Sequence, residues 1–184
     1  MSAHARDRVN WRYARCPMES APARFGPFAD IVARWRQGCP GPGLAPPRDA
    51  LDFFDVIPWL GRVSIARIER DPFAVRFTLW GTALSQWWGV DYTNRTLGSR
   101  AKNPELWEEG ELAYFAAMDR SPFIGFAFGY LDQYDRSHIK VIGLDLPMAR
   151  ADGMLSHVFS IHMKVGLDET PESLLPDCPI ASYF

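Results

Sequence analysis

From Phe123 to Val165 the chain passes through three apolar segments separated by only a few residues each, and this excludes most folds. "FIGFAFGYL" alternates Ile124, Phe126, Phe128 and Tyr130 with Gly125, Ala127 and Gly129, the period-2 pattern of a strand. "HIKVIGLDLPM" (His138 to Met148) follows after a polar turn, then "ARADG", whose Asp152-Gly153 pair is a hairpin signal. "MLSHVFSIHMKV" then places Leu155, His157, Phe159, Ile161 and Met163 on one side. Parallel neighbours need a crossover of a dozen residues or so, and neither gap has room for one. These three strands must be antiparallel.

Two more strands precede them. "RVSIARIER" (Arg62 to Arg70) and "AVRFTLW" (Ala74 to Trp80) flank an Asp71-Pro72 turn and read as a hairpin, with Val75, Phe77 and Leu79 sharing a face. Gly81 allows a sharp turn or a close backbone approach, Thr82 can cap a helix, and Gly89 ends it. That short helix carries Leu84, Trp87 and Trp88. "NPELWEEGELAYFAAMDRS" (Asn103 to Ser121) predicts the longest helix, with Pro104 at its first position, Gly110 as a weak point, and Leu112, Phe115, Ala116 and Met118 inward. Helices segregated between two strands and three give an α+β domain: a five-stranded antiparallel sheet with helices packed on one face.

Upstream, Phe28, Ile31, Val32 and Trp35 recur at helical spacing, and "GCPGPGLAPP" ends that helix. The expected organisation is a poorly ordered N-terminal tail over 1–25, a flanking helix and Pro/Gly linker over 26–43, the main domain over 44–165, and an irregular, proline-interrupted tail over 166–184. The flanking helix is expected either to pack on the sheet or to pair with a second copy as a homodimer. A net charge of −2 gives no electrostatic case for nucleic acid. No apolar run approaches the roughly 18 residues of a membrane span, and no secretory h-region is visible, so the expected location is cytoplasmic. Cys16, Cys39 and Cys178 are widely spaced and odd in number, which reads as free thiols rather than a disulfide framework or a zinc cluster.

The stretch from "PPRDALDFF" through "GTALSQWWGVDYTNRTLGS", with Gly81-Thr82 opening a helix and "GVDYTNRTL" following it, resembles the opening half of a bacterial PAS-domain subfamily. "LDLPMARADGMLSHVFSIHM", a Leu-Pro segment before an Asp-Gly turn, is similar to that family's closing hairpin. The resemblance covers roughly residues 44 to 165. It implies a stand-alone sensory module, not a catalyst: the sheet curls round one side of a pocket, helices close the other, and a ligand or a signalling partner biases the whole.

On that reading, the pocket candidates are Phe77, Leu79, Leu84, Trp87, Trp88, Phe115, Phe126, Phe128, Leu144, His157 and Phe159, suited to a small apolar or aromatic ligand or simply filling the interior. The single-pocket reading requires Trp87 to lie near Phe126 and Phe159. His157, on an apolar strand face, is a candidate haem ligand or pH sensor, or a core histidine with a satisfied hydrogen bond. His138 and His162 are expected to be exposed. A flavin-photochemical site is excluded by the lack of any cysteine from Gly41 to Leu175. No metal spacing, phosphate loop, nucleophile elbow or acid/base pair stands out, and no cofactor is named. The rival readings are a small-molecule isomerase or hydrolase resembling nuclear transport factor 2, with His157 and Asp145 as its pair, and a purely structural interaction domain.

Overall fold

The computed structural model describes residues 11–178 and 182–183. Its class is α+β, built on an open antiparallel sheet. The strands are β1 (Trp11–Cys16), β2 (Val63–Glu69), β3 (Ala74–Trp80), β4 (Ile124–Leu131), β5 (Arg136–Ala149), β6 (Leu155–Val165) and a two-residue edge segment, β7 (Ser182–Tyr183). Their order is β3-β2-β6-β5-β4-β1-β7, and every pairing is antiparallel. The helices are α1 (Ala29–Gln37), α2 (Phe53–Val56), α3 (Thr82–Trp88), α4 (Pro104–Trp107), α5 (Ala113–Arg120) and α6 (Pro171–Leu174). No helix among the described residues is long and apolar enough to cross a membrane.

Five expected strands become six of substantial length. The addition is β1, inside the stretch read as a poorly ordered tail; residues 1–10 of that stretch lie outside the described residues. β1 pairs with β4 from Trp11↔Gly129 to Cys16↔Ile124. Trp11, Tyr13, Ala14 and Cys16 are all buried, while Arg12 and Arg15 reach solvent. A strand covered on both faces need not alternate, and two arginines in six residues make it read as polar.

The helices α3 and α5 share one face, and the flanking helix takes the first of its two expected places, on the sheet, so both faces are covered. On the inner face, α3 and α5 bury Leu84, Trp88, Tyr114, Phe115 and Met118 against Tyr13, Phe77, Trp80, Ala127, Val141 and Val158. On the outer face, α1 buries Ile31, Val32 and Trp35 against Phe126, Ile142, Leu144 and Ile161. Phe25 stacks on Phe126 with ring centroids 5.9 Å apart, and the Trp35 Nε1–H donates to the Pro147 carbonyl at 3.0 Å. The apolar stripe of α1 is therefore used up on its own sheet, which removes it as a surface for pairing with a second copy.

Two bulges re-aim side chains. Ile65 pairs with Leu79 and Ala66 with Phe77, which leaves Thr78 as the extra residue; its hydroxyl donates to the Ile65 carbonyl at 3.2 Å. Met148 pairs with His157 and Ala149 with Leu155, which leaves Ser156 extra; its hydroxyl donates to the Met148 carbonyl at 3.2 Å. Strict alternation therefore mis-assigns Leu79, which turns outward, and Leu155, which turns inward.

Gly81 serves close approach: a Cβ there would lie 2.2 Å from the Gly61 carbonyl oxygen. That carbonyl accepts from the Ala83 and Leu84 amides at 2.9 and 3.2 Å, doing the capping expected of the Thr82 hydroxyl. Gly89 ends α3 in the left-handed conformation (φ 71°), as its sequence position suggests. The expected long helix is interrupted by a wide π turn over Glu108–Leu112. Downstream, Thr170 and Ser173 form a capping box at α6, and the Lys140 ammonium donates to the Leu167 and Glu169 carbonyls at 2.8 and 2.5 Å. Much of the tail to Cys178 is thereby tied down.

Gly125 is the tightest point in this packing. A Cβ there would sit 1.8 Å from Tyr114 Oη and 3.0 Å from Met118 Cε. Gly125→Ala is expected to destabilise by about 2–3 kcal/mol in urea titration. Gly110→Ala, which meets nothing within 4 Å, should be neutral or stabilise by up to about 1 kcal/mol. Equal stability of Gly125→Ala and wild type would contradict the docking of α5 described here.

Candidate functional site

Small residues on the inner face of β4 leave room for large polar ones. Tyr114 crosses above Gly125, and its hydroxyl donates to Asp145 Oδ2 at 2.7 Å. Asp145 is paired with Gly125 in the ladder. Its other oxygen, Oδ1, accepts from the Ser160 hydroxyl at 2.5 Å. Gly143 does the same service for His162, its ladder partner: a Cβ at 143 would come 3.0 Å from the imidazole Cδ2. The imidazole lies 5.5 Å from the Trp88 ring and 6.3 Å from Trp80, centroid to centroid. From above, the π turn delivers Glu111 into the interior, where it is 8% exposed. Such turns often mark functional positions.

Together these side chains enclose a chamber of about 40 Å³, lined by Ser64, Trp80, Glu111, Asp145, Ser160 and His162 among others. Several of its polar atoms make no hydrogen bond among the described residues: Ser64 Oγ, Trp80 Nε1, Glu111 Oε2 and His162 Nδ1. The adjoining Tyr13 hydroxyl faces Glu111 and favours its ionised form. At the rim, the Tyr92 and Tyr134 hydroxyls lie 2.8 Å apart. A buried polar atom left unpaired costs about 1–3 kcal/mol, so this convergence is expensive if nothing polar fills the chamber.

Burial shifts the ionisable groups. It pushes the Asp145 carboxyl up to about 6, against the Ser160 and Tyr114 hydrogen bonds that favour the anion. It holds Glu111 well above the carboxylate range, with Asp145 adding repulsion and Tyr13 tempering the effect. It drives the His162 imidazole down to about 4, with an opposing contribution from the Arg62 backbone. Tyr13 and Tyr114 are raised by burial first and by the neighbouring carboxyls second. Near neutral pH the chamber therefore holds a neutral imidazole, an Asp145 carboxyl that has largely ionised, and a Glu111 carboxyl held toward its neutral form.

The expected single pocket does not form. Phe77, Leu84, Trp88 and Phe115 are inner-face residues around the chamber, with Trp87 half-buried beside them under the Lys164 ammonium, 5.3 Å from the ring centroid. Phe126, Phe128, Leu144 and Phe159 belong to the outer-face core. Trp87 is thus separated from Phe126 and Phe159 by the sheet itself. Leu79 and Phe159, with Val63, Ile65 and Met148, line an outer-face groove of about 510 Å³. Near it, Phe53, Phe54 and Leu60 are more than half exposed. His157 is half-buried, its Nδ1 lies 3.1 Å from Ser156 Oγ, and burial with the Arg48 and Arg67 charges lowers its pKa. It is not the partner of Asp145, which meets Ser160 on the opposite face.

His162, expected to be exposed, is the histidine that enters the interior; His138 is exposed, and His4 lies outside the described residues. Alternation placed His162 correctly opposite Phe159 and Ile161, but it could not show that helices cover that side. Among the described residues, no group of three or more His, Cys, Asp or Glu is placed to hold a metal ion. Comparisons with protein-family models, curated proteins and solved structures find no match to the chain.

The Asp145 and His162 shifts have opposite consequences for stability. Asp145 contributes fully below its unfolded value of 3.8 and loses that contribution as pH rises through about 6. His162 contributes fully above 6.5 and loses it as pH falls through about 4. From pH 4 to 6, the stability of Asp145→Asn relative to wild type should rise by about 2 kcal/mol, and that of His162→Gln should fall by a similar amount. Chemical denaturation at several pH values measures both differences. Flat differences for both variants would contradict the buried environment assigned to these groups.

Proposed function

We propose that the chain is a non-catalytic sensory and interaction domain of PAS-like architecture that responds to a small polar molecule held in the inner-face chamber. The observation that carries this reading is the convergence of unpaired buried polar atoms on one small cavity. A domain built only to present a surface gains nothing from such a cluster, because an apolar filling of the same shape would be more stable. At about 15 Å³ per water, the chamber has room for roughly three water-sized atoms, so its occupant is small. This departs from the apolar or aromatic ligand expected of a single large pocket.

The chain order supports the same reading: β2 and β3, then α3 to α5, then β4 to β6, with β2 pairing with β6 so that the intervening helices lie over one continuous sheet. Signalling requires an occupant that binds two states differently. The π turn at Glu111 is the element best placed to shift between two hydrogen-bonding arrangements, since it joins the chamber to the start of α5. The outer-face groove, with Leu79 at 44% exposure, is the surface through which a signalling partner or a second copy would read that shift. A cytoplasmic setting belongs to this proposal.

A second reading, the small-molecule isomerase or hydrolase, is favoured by one observation: Asp145, Glu111 and His162, all with perturbed titration, share the chamber. Its acid–base pair would be Asp145 with His162 rather than with His157.

Native mass spectrometry of the freshly purified chain reads both occupancy and oligomeric state. The expected spectrum carries a low-mass adduct released on unfolding, reduced at least about tenfold in Glu111→Gln, in keeping with loss of one buried hydrogen bond to the Glu111 carboxyl. An adduct-free spectrum, with no organic molecule released on unfolding wild type, would overturn the sensory reading in favour of a sealed structural domain.

A further inference from the structure

The fold brings two cysteines together from opposite ends of the chain. Cys16 Sγ, on β1, and Cys178 Sγ, beyond α6, are 2.8 Å apart although 162 positions separate them in sequence. Cys16 is buried at 1% exposure and Cys178 is half-buried. Cys39, the third thiol, lies near the Trp35 carbonyl and is not part of this pair.

We infer that Cys16 and Cys178 form a reversible redox-modification site, closed to a disulfide by a peroxide-class oxidant. The asymmetry of the pair fits a two-step reaction. The two thiols share one hydrogen bond that either can donate; Arg24 adds positive charge beside Cys178, the more accessible partner, so the thiolate belongs there. Burial and the same contact hold the proton on Cys16. In the first step, the Cys178 thiolate attacks one peroxide oxygen, the O–O bond breaks, and Cys178 becomes a sulfenic acid as water or an alcohol leaves. In the second step, Cys16 sulfur attacks the Cys178 sulfur and the S–O bond breaks; the departing hydroxide takes the Cys16 proton and leaves as water. Two thiols supply the two electrons that reduce the peroxide, and a thiol reductant reverses the change.

The consequence is mechanical. The segment after β6 is held to the body by Lys140, by Leu175 buried at 1% exposure, and by the Arg12–Glu172 ion pair at 2.7 Å. A covalent link at Cys178 would fasten the end of this segment to β1, next to where β7 pairs with Ala14 and Arg15. Oxidation would therefore fix the outer edge of the sheet and restrain the C-terminal segment in the unfolded chain as well, which raises stability.

The test uses the full chain, reduced and then treated with stoichiometric hydrogen peroxide. Non-reducing peptide mapping should recover a Cys16–Cys178 cross-link with the mass of two hydrogens lost, while Cys39 stays alkylatable. Cys39→Ser should form the same cross-link. In Cys178→Ser the cross-link should vanish, and Cys16 should react at least about tenfold more slowly than Cys178 does in wild type. Thermal melting of the oxidised wild type should move up by about 5 °C or more, and the reductant dithiothreitol should abolish the shift. Recovery of all three thiols unchanged, a cross-link through Cys39, or direct over-oxidation of Cys178 without a cross-link would each overturn the assignment. Because Cys178 is half-buried, circular dichroism of Cys178→Ser shows directly whether that variant is folded, and the Cys39→Ser result stands independently of it.

Discussion

The contact on which this architecture depends is Tyr114 reaching through the gap at Gly125 to Asp145. It fixes three things together. It sets how closely α5 approaches the sheet, since no side chain stands at 125 to hold the helix off. It gives a buried carboxyl a hydrogen-bond donor without a counter-charge, so the group is tolerated yet remains hard to ionise. It also places the roof of the chamber, because Glu111 is one turn before Tyr114 on the same helical segment. If the helix were lifted by the width of a methyl group, Asp145 would lose one of its two donors and the chamber would open toward Phe115 and Phe123.

The two faces of the sheet solve different problems. The outer face is conventional: bulky side chains on β4, β5 and β6 meet the apolar stripe of α1, and the Trp35 indole donates to a carbonyl at Pro147, just past the end of the β4 pairing. Proline is tolerated in β5 there because no strand on that side needs its missing N–H. The inner face is more costly. Four aromatic rings, Trp80, Trp88, Tyr92 and Phe77, interlock with centroid separations of 4.8 to 5.5 Å and exclude bulk water from a polar interior. Stability is spent on a polar chamber that packing alone does not require, and this pattern is common where a binding or switching role is selected.

Much of this could be read from the sequence, and the failures have specific causes. The five expected strands, their antiparallel sense and the ends of α3 follow from alternation, Asp-Gly, Gly81 and Gly89. β1 was hidden because burial on both faces erases alternation and its two arginines mimic a solvated tail. The single pocket fails on parity: alternation puts Phe126 and Phe128 opposite Gly125 and Ala127, but the helices with Trp88 and Phe115 cover the glycine side. The Thr78 and Ser156 bulges then displaced Leu79 and Leu155, and a bulge carries almost no signature in a single sequence. The chamber itself had a faint one. Glycines at 125 and 143 in otherwise bulky strands signal that something large must lie across them, although the spacing does not say that the occupants are Tyr114 and His162.

The central claim is that Asp145 is a dry, hydrogen-bonded carboxyl beneath Tyr114 in the native fold. Its side-chain carboxyl carbon can be followed by nuclear magnetic resonance in protein labelled with carbon-13 at aspartate, with the signal assigned through Asp145→Asn. A titration midpoint near 6 is expected. A midpoint at or below about 4, that of a solvated aspartate, would contradict it.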